Sequence, residues 1–210
     1  MKKTHLFYLV TVLILAGCSK EKEDFSRETA KTSISDFKSL VNEQNYRVLG
    51  FNSFAETSEM TLGDPLSIYF IGLTEIKNFT ENDDPENLFA KPVETIYPVN
   101  VRDEVRSSVS VKKSGEEWIV TGFGRPKWIK AVNRIIADSP GKEDSGYFIV
   151  EIPSLYLLLI GRREQGKLFL THVHDHDDLN FKAGETGLAT EVLSKIQQAT
   201  KDDKGALSKL

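Results

Sequence analysis

The clearest pattern along the chain is an alternation. Tyr97, Val99 and Val101, then Val105, Val109 and Val111, are apolar at odd positions, with polar or small residues between most of them. A period of two marks strands with one covered face. Keeping both sets on one face requires an odd-numbered loop. Arg102-Asp103-Glu104 supplies one and pairs Val101 with Val105. The parity then flips to Trp118 and Val120, and an even loop over residues 113–116 sets Val111 opposite Trp118 and Val109 opposite Val120. The pattern predicts a three-stranded antiparallel meander.

Helical spacing appears on either side of it. Ala30, Ile34, Phe37 and Val41 predict a helix over residues 27–43, with Trp128, Val132, Ile135 and Ile136 predicting another over 126–137. Pro126 suits a first helical turn, and Ser139-Pro140-Gly141 closes that helix. Leu188, Val192, Ile196 and Ala199 form the seam of a C-terminal helix, followed by a polar tail over 201–210. Strands are expected at 46–49, at 66–73 after the turn Gly63-Asp64-Pro65, and at 167–174. Residues 82–87 read as a loop. Residues 147–152 and 155–160 are almost wholly apolar, which predicts strands covered on both faces, with Pro153 marking a bend between them. The fold class is therefore α+β: an antiparallel sheet meander packed with N-terminal, central and C-terminal helices. That order resembles the layout of cystatin-like and peptidase-propeptide folds. Residues 25–200 read as one unit, with a division into two lobes near 139–145 as the alternative.

The N-terminus carries a different signal. Lys2 and Lys3 precede an apolar run over residues 6–15, which ends in Leu15-Ala16-Gly17-Cys18. A basic start, a short apolar core and small residues before a cut site are the parts of a secretory signal peptide. A permanent membrane span would need about 20 apolar residues. Leu-Ala-Gly-Cys resembles the lipobox of bacterial lipoproteins. That resemblance implies cleavage between Gly17 and Cys18, lipidation of Cys18, and attachment to a bilayer in the cell envelope. Residues 18–24, Cys-Ser-Lys-Glu-Lys-Glu-Asp, then read as a charged tether. Ser19 fits the outer-membrane sorting pattern of enteric bacteria. The Lys-Glu run resembles the export signals that carry some Bacteroidetes lipoproteins to the cell surface.

Charge narrows the partners. The whole chain has 27 Lys and Arg against 31 Asp and Glu, and the chain from Cys18 onward has 25 against 31. This acidic balance argues against a nucleic-acid partner, which would want a basic face. Cys18 is the single cysteine, so the folded body gains no internal disulfide.

Catalytic motifs are missing from the sequence. There is no Gly-x-Ser-x-Gly elbow, no His-Glu-x-x-His and no phosphate-binding glycine loop. One cluster stands out: His172-Val173-His174-Asp175-His176-Asp177-Asp178 holds three of the chain's four histidines. Imidazole and carboxylate are common ligands of zinc, copper and nickel, so His172, His174, His176 and Asp178 form the candidate metal set, with Zn²⁺ as the candidate ion. The cluster resembles the His-x-His-x-Asp-His motif of metallo-β-lactamases but carries His176 where that motif has Asp. No activity is carried over. The leading expectation is a non-enzymatic binding or accessory module without a cofactor, facing an envelope protein or polymer. A propeptide-like inhibitor of an envelope peptidase and a metal-binding lipoprotein are the alternatives.

Overall fold

The computed structural model describes residues 17–139 and 146–202. All of the signal segment 1–17 but its last residue, all of the possible lobe boundary 139–145 but its first, and most of the polar tail 201–210 lie outside the described residues. The architecture is α+β, as the periodicity predicts. Among the described residues nine strands form one sheet in the spatial order β5-β4-β3-β2-β6-β7-β8-β9, with β1 (Met60–Leu62) beside the far half of β3. The remaining strands are β2 (Leu66–Phe70), β3 (Glu94–Val101), β4 (Glu104–Ser114), β5 (Glu117–Phe123), β6 (Phe148–Ile152), β7 (Leu157–Glu164), β8 (Lys167–His172) and β9 (Thr186–Leu188). Every pairing is antiparallel except β2 with β6. Among the described residues five α-helices cover the sheet: α1 (Gly17–Thr32), α2 (Ile34–Leu40), α3 (Leu73–Asn78), α4 (Pro126–Asp138) and α5 (Ala189–Asp202). Among the described residues no helix is long and apolar enough to cross a membrane.

Burial assigns the helices to faces. On one face α1 and α2 lay Ala30 and Phe37 on Tyr97, Val99, Val109 and Val111. Phe37 stacks on Phe123 at 4.8 Å, and the Ser26 and Tyr97 hydroxyls meet at 2.6 Å. Farther along the same face α3 and α5 cover Val150, Ile152, Leu159 and Leu170. The opposite face belongs to α4, whose Ile129, Val132 and Ile135 pack on Ile68, Ile96, Ile149 and Ile160. Strands β6 and β7 thus place apolar side chains on both faces, which explains their unbroken hydrophobic sequence.

The meander forms, but its register differs from the parity argument. Val101 pairs with Glu104 across a two-residue turn, and the pairing slips between Val99 and Asn100. The slip leaves Arg106 as an extra residue and sends Val105 to the α4 face, while Val109 and Val111 stay beneath α2. A second slip sets Val111 opposite Val120 and Val109 opposite Phe123, with Trp118 opposite Lys113. Each bulge adds one residue, and counting apolar positions cannot register it.

Other boundaries move for local reasons. The expected strand at 46–49 is a run of turns. Asn42 Oδ1 accepts from the backbone N–H groups of Gln44 and Asn45, and Asn45 Oδ1 accepts from that of Asn42, which sets a turn just before the segment; the Tyr46 and Leu49 amides then donate to the Asn42 and Asn45 carbonyls and not to a strand partner. Strand β2 stops at Phe70, and Leu73 opens α3 after Gly72. The helix expected over 27–43 is two, separated at Ser33. The backbone of 18–24, read as a tether, is helical and continuous with α1; its Lys-Glu composition carries no breaker.

Gly50 closes the turn-rich segment at φ +102°, where a Cβ would strike the Arg106 carbonyl oxygen and come within 2.6 Å of Pro126 Cβ. Gly115 has φ +64° with open space around it. Gly50→Ala is expected to cost well over about 1 kcal/mol, and more than Gly115→Ala, because strain and collision add. Urea denaturation of the two variants measures the difference.

Candidate functional site

The bulge in β4, the end of β5 and the turns after α2 meet at the start of α4. Arg106 leaves its strand there and is held by Glu104 and, at 3.2 Å, by Glu56. Ser108 Oγ donates to the Gly124 carbonyl at 2.6 Å, which fixes the chain as it turns out of β5. Arg125 then sits at φ 55° and ψ 40°, a left-handed conformation uncommon for a residue with a side chain. Pro126 begins the helix.

Between this corner and residues 47–52 lies a cleft of about 800 Å³. Its walls carry Arg47, Arg125, Lys127 and Lys130 together with the apolar surfaces of Val48, Phe51, Pro126 and Trp128. The wall includes no carboxylate, although the chain as a whole is acidic. The Arg125 guanidinium lies over the Trp128 ring at 4.8 Å and stands 3.6 Å from Glu151, whose carboxyl is pushed up by burial. Lys130 Nζ donates to the Gly50 carbonyl at 3.1 Å. Burial, and then the nearby Arg106 charge, hold the Lys130 ammonium below its ordinary range. Arg47 lies over the Tyr46 ring at 5.5 Å. Positive charge is therefore gathered beside apolar walls, with Lys130 half-buried and Arg47, Arg125 and Lys127 exposed, so that the four together attract an anion.

None of these residues was singled out by sequence motif. A local signal existed in Arg125-Pro126-Lys127-Trp128-Ile129-Lys130, three cations and a tryptophan within six residues. Arg47 and Val48 arrive from a segment about 80 positions away, and nothing local announces them.

The histidine cluster is arranged differently from the expectation. His172 closes β8, is 2% exposed, and stacks on Phe181 with ring centroids 3.8 Å apart. His174 is exposed two residues on, past buried Val173. His176 Nε2 sits 3.1 Å from the Leu155 carbonyl, and Asp178 is exposed in a short helical turn. Asp175 accepts from the Ala183 N–H and, with Asp177, pairs with Lys182. His172, His174, His176 and Asp178 are not brought together. Among the described residues, no group of three or more His, Cys, Asp or Glu side chains could hold a metal ion. The segment serves as a corner, with His172 filling space beneath Phe181 and the carboxylates capping the turn. Gly17 and Cys18 belong to the backbone of the first turn of α1.

Comparison with protein-family profiles, with curated proteins and with solved structures finds no match for this chain. The reading of its function rests on its own residues.

Burial holds the His172 imidazole neutral, with its pKa lowered to about 4. The unfolded chain takes up that proton near pH 6.5, before the folded one can. Stability supplied by His172 is complete above pH 6.5, falls as pH drops from 6.5 towards 4, and falls no further below that. The loss is about 3 kcal/mol at 1.36 kcal/mol per pH unit. Denaturant titrations at pH 7 and pH 4.5 should show His172→Leu losing markedly less stability across this interval than the parent chain. Equal losses would assign the acid sensitivity to other groups.

Proposed function

We propose that the chain is a cell-envelope lipoprotein, anchored through acylated Cys18 and sorted to the outer membrane. Its α+β body acts as a non-enzymatic binding module. The observation that carries the binding reading is the cleft at the start of α4: four cations and a tryptophan face one hollow with no carboxylate in its wall, on an acidic chain. Small-molecule sites have this composition, an apolar lining with a few convergent polar groups. The anchor is supported by Leu15-Ala16-Gly17-Cys18 behind a basic start and a short apolar run. Each buried methylene contributes about 0.8 kcal/mol, so two or more acyl chains hold a protein stably where one does not. The cleft is formed entirely by residues of the folded body, leaving the anchor free to set location alone.

Radiolabelled palmitate is expected to enter the parent chain and to be absent from Cys18→Ala. Equal labelling of both would contradict the anchor.

A further inference from the structure

We infer that the cleft takes one small organic anion, whose apolar chain or ring lies against Val48 and Trp128 while its carboxylate or phosphate is met by Arg47, Lys127 and Lys130. This deepens the binding-module reading and rests on it.

Size comes first. A hollow of about 800 Å³ lies within the range of roughly 300–1,000 Å³ typical of small-molecule sites.

Charge pairing comes second. Several guanidiniums outside the cleft are matched: Arg106 has Glu56 and Glu104, Arg102 has Glu59, and Arg163 has Glu86 at 2.6 Å, whereas exposed Arg134 has no carboxylate among the described residues. Arg47, Lys127 and Lys130 have no carboxylate partner among the described residues. Lys130 gives one of its three N–H bonds to the Gly50 carbonyl and keeps two. Arg125 is already engaged between Trp128 and Glu151. Three cations are therefore left to meet an incoming negative group.

The apolar part decides the rest. Val48 is 75% exposed at the lip of the cleft, next to buried Phe51 and the half-buried Trp128. A bare inorganic anion would leave Val48 and Trp128 uncovered. A neutral hydrocarbon would strip water from Lys130 without replacing its contacts, which is costly for a charged group. A long polyanion would be disfavoured by the chain's overall negative charge, a formal −4. An anion carrying an apolar body satisfies both halves of the lining.

The test uses the full chain with Cys18→Ser, so that no acyl chain is attached. Decanoate below its micelle concentration is the probe, with decanol and inorganic phosphate as controls. Calorimetry and tryptophan fluorescence should show one equivalent of decanoate bound, about tenfold or more tighter than either control. Arg47→Gln with Lys127→Gln, both exposed positions, should weaken decanoate by about tenfold or more while the melting temperature holds. Val48→Ser, which removes apolar surface without adding charge, should also weaken decanoate binding. Equal affinity for decanol or phosphate would overturn the inference, as would decanoate binding indifferent to these variants, or no binding at all. Binding to phosphatidylglycerol vesicles that is lost in the double variant, without decanoate binding, would also overturn it by making the cleft a bilayer contact. Palmitate labelling reads the anchor independently, so either reading can fail while the other stands.

Discussion

The parallel pairing of β2 with β6 is the constraint on which the rest of the fold depends. Ser67 to Phe70 lie beside Phe148 to Glu151 in one register. A hairpin cannot join parallel neighbours, so the intervening chain must cross a face of the sheet. It first runs outward through β3, β4 and β5, then returns over the sheet as α4. Ile68 and Ile149, both fully buried, give the returning helix its floor. Buried side chains of this size contribute about 1.5–3 kcal/mol each, so the anchoring of Ile129, Val132 and Ile135 outweighs any single turn or ion pair.

The cleft follows from that crossing. Helix α4 has to start where β5 ends, and β4 is bulged at Arg106 beside that point. The turns after α2 fold against the same corner because Gly50 alone can approach the Arg106 backbone so closely. Two segments far apart in sequence are thereby held face to face, one contributing Arg47 and Val48 and the other Arg125 to Lys130. At the opposite end of the sheet Asp175 and Asp177 pair with Lys182, and His172 stacks on Phe181.

Sequence periodicity revealed the meander, the helix seams at Ala30, Phe37, Val132 and Ile196, and the doubly covered strands β6 and β7. These are repeated local patterns, and burial enforces each of them. The two bulges stayed hidden because a single inserted polar residue, such as Arg106, looks like any outward-facing position. A turn set by the Asn42 and Asn45 side chains carries residues 46–49 into further turns, where the Tyr46 and Leu49 amides bond to the Asn42 and Asn45 carbonyls. Helix α3 was concealed in the continuation of an apolar run. The histidine cluster attracted attention through composition, yet its geometry depends on Phe181 and Ala183 folding back over it. The cleft, conversely, was only half visible, in the basic and aromatic run at 125–130.

The account is tested most directly by mapping bound decanoate onto backbone amides. Two-dimensional ¹⁵N–¹H spectra of the labelled Cys18→Ser chain, recorded through a titration, should show shift changes concentrated in residues 47–52 and 125–130. Residues 172–181 should stay unmoved. Changes centred on the histidine corner, or spread evenly over the sheet, would contradict the claim that the crossing of α4 builds the binding site.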